Sequence, residues 1–323
     1  MAEIYLFCSD EQFQPEEIVN QAVTAEAVGF DGVMISEHFH PWVDDHSASG
    51  FAFSTLGAIA VKTTHINLMT AVTAPLFRFH PAVIAQAAAT IDRLSNGRFT
   101  LGIGTGENIN EGPLGFVLPP YKERAARLAE AHEIIQRLLA GEKLNFHGNY
   151  YQTSAAKLYS PPKHTVSILL AAGGPQSATT AGKHYDGIIV SAKNIEHAKQ
   201  NVILPAKAVA NNNYTVVANR WSILAQNDTE AWQALQSQRG LRAPSRAEAI
   251  DPIQLQTEAD KLPRGEILNL FSRVQNAADY ITTYAPLIAE LGADIVGIQT
   301  TSIDQLATIE MLGKEVVPVL HKL

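Results

Sequence analysis

Short apolar runs alternate with segments of helical spacing along almost the whole chain, and this alternation limits what it can fold into. Ile4–Cys8, Val33–Ile35, Asn67–Val72, Phe99–Ile103, Ser167–Ala171, Gly187–Val190, Thr215–Val217 and Ala293–Ile298 read as strands. Their near-continuous hydrophobicity is that of parallel strands buried on both faces. Between them lie helical segments: Pro15–Val28, a stretch around Phe53–Lys62, Pro81–Leu94, Lys122–Ala140 and, at the end, Asp304–Leu320. Proline opens the first and third of these, and glycine follows their ends, at Gly29 and Gly97. Strand–helix repetition implies parallel pairing with right-handed crossovers, and about eight such units close a (β/α)8 TIM barrel. Residues 1–323 are therefore expected to form a single domain. Lys143–Tyr159 reads as an extended excursion with a turn in its middle. The polar, proline-bearing stretch Asn227–Leu270 shows no clear strand and reads as an insertion before strand eight, folded over the barrel mouth.

The carboxyl ends of barrel strands are where ligands bind. The second strand runs directly into Ser36-Glu-His-Phe-His-Pro-Trp42, which sets a carboxylate, two imidazoles and an indole at one such end. Strand four runs into Gly102-Ile-Gly-Thr-Gly-Glu-Asn-Ile-Asn-Glu111. Its alternate glycines let backbone approach a flat or phosphorylated ligand closely. The spacing is not the Gly-x-Gly-x-x-Gly of dinucleotide sites. Glu107 adds a second carboxylate at the face that carries His38, and paired acid and base groups are what proton-coupled transfers require. Strand five ends in Ala171-Ala-Gly-Gly-Pro-Gln-Ser177 ahead of a helix, whose amino terminus suits an anion. His38 and His40 lack the partners of a recognised metal motif, so no metal is expected. There is no Gly-x-Ser-x-Gly nucleophile elbow, and Cys8 lies inside strand one.

Composition narrows the partners. With 46% hydrophobic residues the chain carries enough apolar content for a large core. A formal charge of −8 argues against nucleic acid and anionic membranes as main partners. A single cysteine rules out an internal disulfide, and the first residues lack a secretory pattern. No stretch reaches the length of a membrane span. The expectation is a cytoplasmic protein acting on a small molecule.

Four stretches occur here in the order found in the luciferase-like superfamily. They are Ser36–Trp42, Phe77-Arg-Phe-His-Pro-Ala-Val-Ile-Ala-Gln86, Gly102–Glu107 with Asn110-Glu111, and Ala171-Ala-Gly-Gly-Pro175. Together with Ser9-Asp-Glu-Gln-Phe13 and Ile250-Asp-Pro-Ile253 they resemble most its deazaflavin (F420)-dependent glucose-6-phosphate dehydrogenase branch. The resemblance covers nearly the whole chain. It implies a TIM barrel with F420 at the strand ends, and a homodimer. His38 and Trp42 would lie beside the substrate carbinol and the ring, and Glu107 near the ring's pyrimidine side as a proton-transfer partner. Glu37 stands where the family has an aspartate touching the ring. Ala71-Val72 matches the site of a non-proline cis peptide under the ring. Thr105, Gly106, Asn110, Ala172, Gly173, Gly174 and Pro175 match positions along the cofactor, and Glu11 belongs to the substrate side.

Hydride removal from a secondary alcohol requires a base for the hydroxyl proton, and an imidazole such as His38 titrates in the right range. Trp42 would supply a flat wall and an N–H, and Glu107 would be desolvated against the ring. The family's sugar-phosphate grip is kept only in part. Lys193 retains one lysine, Arg246 replaces the other, Val190 stands for a threonine, and the arginine position falls on Leu270 with Arg273 close by. Glucose 6-phosphate is therefore not the expected substrate. Two alternatives stay open: an FMN-dependent oxidoreductase or monooxygenase of the same fold, and a non-catalytic flavin-binding barrel.

Overall fold

A computed structural model describes residues 1–323. The barrel strands are β1 (Glu3–Cys8), β2 (Gly32–Ile35), β3 (Asn67–Thr70) and β4 (Phe99–Ile103). A hairpin of β5 (Leu144–His147) and β6 (Gln152–Ala156) interrupts the series, which resumes with β7 (Ile168–Ala171), β8 (Gly187–Ser191) and β9 (Thr215–Leu224). β10 (Ser272–Val274) pairs on β9, and β11 (Ile295–Thr301) is the eighth barrel strand. Pairing runs β1-β2-β3-β4-β7-β8-β9-β11 and returns to β1, parallel throughout, so the sheet closes. The hairpin is antiparallel, as an extended excursion with a central turn requires.

Two-sided burial explains the strand sequences. Val33 and Ile35 face the helices within the large core, whereas Met34 points into the barrel with Tyr5, Phe7, Met69, Leu169, Ile189, Val217 and Ile295. Alternate residues thus serve two apolar layers, and neither set can be polar without cost.

The helices α1 (Pro15–Ala27), α2 (Ala52–Lys62) and α3 (Pro81–Ser95) cover the first strands. α3 starts with Pro81 at its first turn while His80 Nδ1 accepts from Ala82 N at 3.1 Å. It stops where Asn96 and then Gly97 take positive φ, 56° and 88°. Below it, Arg98 spends its guanidinium on carbonyls: Ser95 O at 2.7 Å, Ile66 O at 2.6 Å, Ala60 O at 2.8 Å and Thr63 O at 3.1 Å. That ties α2, β3 and β4 together at the end of the barrel away from the strand carboxyl termini. After β4 come the single turn α4 (Asn108–Glu111), the long α5 (Tyr121–Leu139) and α6 (Pro175–His184). No helix is long and apolar enough to cross a membrane.

The structure differs from the sequence expectation in several places, among them a helical stretch at 195–207, between β8 and β9, that had no sequence counterpart. Strand three ends at Thr70, and Ala71-Val72 is a cis peptide bond, as the family resemblance implied. The seventh strand runs on to Leu224, because Asn219, Arg220 and Trp221 remain in register with β11 despite their polarity. A helix at Ala277–Ala289, with Pro286 inside it, follows the insertion and had no sequence counterpart. The closing helix is broken by a wider turn at Leu312–Val316. The insertion itself holds helices at Asp228–Ala234, Pro252–Ala259 and Arg264–Leu268 and a 3-10 segment at Gln236–Arg242.

Candidate active site

A cavity of about 420 Å³ opens at the carboxyl end of the barrel, within the range of small-molecule sites. Among the residues singled out from sequence, Glu11, Glu37, His38, Trp42, Ala71, Val72, Thr105, Gly106, Glu107, Asn110, Ala172, Gly173 and Arg246 line it. Gly174 and Pro175 stand just outside, at the start of α6. Lys193 is exposed and away from the cavity.

The floor is apolar. Phe7, Ala71, Val72, Ala74, Ala171 and Ile189 form it, and Gly104 allows β4 to pass Val72 so closely that a Cβ there would stand 2.8 Å from its Cγ2. At Gly173 and Gly174 a Cβ would meet nothing within 4 Å, so the chain leaves open space beside the start of α6. A flat tricyclic ring with a phosphate-bearing tail fits this arrangement: an apolar floor, a polar edge at Thr105 to Asn110, and an anion-compatible exit.

His38 has a defined tautomer. Its Nδ1 lies 3.1 Å from His40 O, and a carbonyl oxygen can only accept, so Nδ1 is the donor and in the neutral ring the lone pair is on Nε2. The ring meets Trp42 edge-on at 5.0 Å. Asn110 Oδ1 accepts from Phe39 N at 2.8 Å and holds the His38 loop against α4.

A buried ion cluster lies beside it. Arg78 Nη2 donates to Glu37 Oε2 at 2.7 Å, and Nη1 stands 2.7 Å from Oε1, off the hydrogen-bond direction. Thr73 Oγ1 also donates to Glu37 Oε2, at 2.9 Å. Arg78 reaches Glu111 Oε1 at 3.4 Å, and burial raises the Glu111 pKa against the opposing pull of Arg78. Glu37 therefore reaches the cavity with its carboxylate already engaged. Arg78 and Glu111 lie within the sequence motifs above, but no role follows for them from sequence alone. An arginine two residues before the His-Pro start of α3 was the available signal.

Glu107 departs from its expected burial. Its side chain is 44% exposed, and Arg246 Nη2 donates to its Oε1 at 2.8 Å. The Arg246 guanidinium also lies 4.8 Å over the Trp42 ring. Glu11 is buried, and Ser36 Oγ donates to its Oε2 at 2.5 Å. Ser191, Asn219, Trp221 and Gln299 complete the wall without having been singled out from sequence. Trp221 stacks on Phe271, just after the insertion, at 5.2 Å.

The remaining sugar-phosphate positions turn away. Val190 is buried in the helix-facing core, and Leu270 packs with the apolar cluster behind Trp42. Arg273 pairs with Asp228 and donates to Ala225 O, away from the cavity. The roof is fastened by Arg239, which binds Asp45 at 2.6 Å and Asp260 at 2.7 Å. Beside it Gly240 is pressed on the Trp42 backbone, where a Cβ would lie 1.9 Å from the carbonyl oxygen.

A closed parallel barrel with an apolar-floored cavity, a histidine and rim carboxylates at its strand carboxyl ends has its polar groups where enzymes of this architecture carry their active sites. The luciferase-like monooxygenase family profile matches residues 3–265, and the chain belongs to that family. It is 33% identical over 324 residues to an F420-dependent glucose-6-phosphate dehydrogenase of Nakamurella multipartita, covering 98% of this chain and 95% of that protein. The enzyme of the same name from Mycolicibacterium gilvum is 33% identical over 336 residues, covering both chains fully. Among solved structures, an F420-dependent secondary alcohol dehydrogenase in complex with an F420-acetone adduct superposes with a TM-score of 0.90. It is 26% identical, over 99% of both chains.

Proposed function

We propose that the chain is an F420-dependent oxidoreductase that transfers hydride between the deazaflavin and an alcohol or carbonyl compound. The observation that carries this reading is His38, whose Nδ1 is committed to His40 O and whose Nε2 is left as a base on the cavity wall. The two relatives and the solved structure above, all F420-dependent by name, support the same cofactor.

The deazaflavin, when bound, supplies the carbon that accepts or returns the hydride. His38 Nε2 takes the hydroxyl proton of the alcohol, or gives it back in the reverse direction. Trp42 walls the substrate and offers an N–H to its oxygen. Glu107 is the second proton-carrying group at the rim, and it becomes available when Arg246 swings off it. Ala71, Val72, Thr105, Gly106, Asn110 and the Ala172–Pro175 turn are the residues that would hold the cofactor. Glu37, clamped by Arg78, fixes the strand-two end beneath it.

The substrate is read as unphosphorylated. Four carboxylates (Glu11, Glu37, Glu107 and Glu111) face two guanidinium groups (Arg78 and Arg246) around the cavity, which disfavours a phosphate dianion. The chain is read as cytoplasmic from its single cysteine, and as a homodimer from the apolar side chains that α2 and α3 expose, Val61, Val83 and Leu94.

The cofactor test is a titration. Fluorescence of F420 should be quenched saturably by the protein, with an affinity in the micromolar range or tighter. Copurifying FMN, with no saturable response to F420, would move the reading to a flavin enzyme.

A further inference from the structure

One acidic side chain beside the cavity has no part in the reaction described so far. Asp10 follows β1, is fully buried, and has both carboxylate oxygens without a hydrogen-bond partner. Its main-chain N–H donates to Ser36 Oγ at 2.8 Å, and the same hydroxyl donates to Glu11. Asp10 is therefore one link away from a carboxylate that faces the substrate. Its surroundings are tight: a Cβ on Gly50 would stand 3.1 Å from Asp10 Oδ1 and 2.7 Å from the Pro15 ring.

The charges around it are unfavourable. From the β1 end it is faced by Glu11, and from the β2 end by Glu37. The N–H groups of His38 and Gly50 point towards it without reaching hydrogen-bond geometry. Arg78, the cation of this region, is spent on Glu37 and Glu111. A charged Asp10 would put three carboxylates into one buried corner. The fully buried ion would have neither a cation nor a hydrogen bond.

We propose that Asp10 is a positioning residue that works as an uncharged acid, and that loss of its proton switches the site off by setting it against Glu11 and Glu37 in the corner from which Glu11 and His38 are delivered. Geometry and electrostatics agree, since burial first and then the charges of Glu11 and Glu37 push the Asp10 pKa up to about 8. In the uncharged form the corner is neutral apart from the clamped Glu37 and the Ser36-bound Glu11. In the charged form repulsion acts on the two segments that deliver Glu11 and His38 to the cavity. Only the kinetic consequence rests on the proposed reaction.

The experiment compares wild type with Asp10→Asn, which keeps shape and removes titration. A pKa raised in the folded state means that the native protein holds a proton the unfolded chain has released above about pH 4. Wild-type stability relative to the variant should thus fall between about pH 4 and pH 8 and level off above. Infrared difference spectra of wild type at pH 6 should contain the carbonyl band of a protonated carboxylic acid that disappears on going to pH 9. Glu111, whose pKa burial also raises, is told apart by Glu111→Gln, which should keep the band, so the measurement stands even if Asp10→Asn folds poorly. The alkaline decline of kcat should move up by about one pH unit or more in Asp10→Asn, because the group responsible no longer titrates. Absence of the acid band at pH 6, or a stability gap that does not change between pH 4 and pH 8, would overturn the proposal. Failure of F420 to bind would instead sink the cofactor reading and leave the infrared and stability results untouched.

Discussion

Arg246 and Glu107 meet across the mouth of the barrel, the guanidinium Nη2 donating to the carboxylate at 2.8 Å. The two residues come from the insertion and from the end of β4, and both side chains are more than 40% exposed. An exposed pair of this kind contributes about 0–1 kcal/mol, so it can part readily when a ligand competes for either partner. The insertion therefore does more than cover the cavity, since it reaches one of the groups proposed to handle protons.

His38→Ala and Glu107→Gln should each lower turnover with the natural alcohol by about a hundredfold or more, the usual range for positioned acid–base groups. Neither side chain is a core residue, so melting temperatures should stay near wild type. A His38→Ala enzyme with wild-type kcat would remove His38 from the mechanism.

Glucose 6-phosphate should be a poor substrate. Val190 lies in the core and Leu270 in an apolar cluster, so one hydroxyl and one cation are missing from the grip, and Arg273 is held by Asp228. Each charge-assisted hydrogen bond contributes about 1.5–3 kcal/mol, which makes the deficit about a hundredfold or more in affinity. Steady-state kinetics with F420 decide it. A micromolar Michaelis constant with rapid turnover would show that the phosphate is held by residues other than these.

Arg98→Met should destabilise the fold without touching the cavity. The substitution strands the carbonyls of Ala60, Thr63, Ile66 and Ser95, and Thr63 Oγ1 at 3.0 Å as well. A loss of about 2–4 kcal/mol is expected for orphaning partly buried acceptors of a charged donor. Urea unfolding of both proteins gives the difference, and cofactor affinity measured below the transition should be unchanged.

The roof should loosen in acid. Hydrogen bonds from Arg239 hold the Asp45 carboxyl below the usual carboxylate range. A depressed pKa contributes stability that is present above the unfolded value and lost as pH falls through the folded one, so the window lies below about pH 4. Asp45 is 42% exposed, which limits the effect to about 1 kcal/mol. The stability gap between wild type and Asp45→Asn should be constant from pH 5 to pH 7 and close below pH 4. A gap that persists at pH 3 would mean the pair does not set it.

The barrel was legible because its strands are apolar on both faces, and the His38 and Gly102 stretches because polar groups directly after such strands have few other reasons to be there. Strand seven was read short for the opposite reason: Arg220 and Trp221 break the apolar run, yet neighbouring strands satisfy their backbone. Ala277–Ala289 went unread as a helix. Its Pro286 argues against one locally, while packing of Tyr280, Tyr284 and Leu287 in the core outweighs that preference. Arg78 carried a local signal before the start of α3, but which carboxylates it meets was out of reach, as was the Arg246–Glu107 contact, since both join residues far apart in the chain and no local pattern records which side chains meet across a cavity. The same holds for Glu107, whose exposure depends on how far the insertion extends over it.

Gly240 against the Trp42 carbonyl, with Arg239 fastened to Asp45, has a bearing on traffic into the cavity. The segment 236–242 is riveted to the stretch that carries Trp42, so lifting it would drag a proposed substrate-binding wall along. Residues 243–250 share that anchorage, since Ala243 and Ala249 pack in the cluster of Trp42 and Arg246 lies over its ring while holding Glu107. The roof and two walls of the cavity therefore form one joined piece, and a substitution in the insertion should be felt at Trp42 and at Glu107 together.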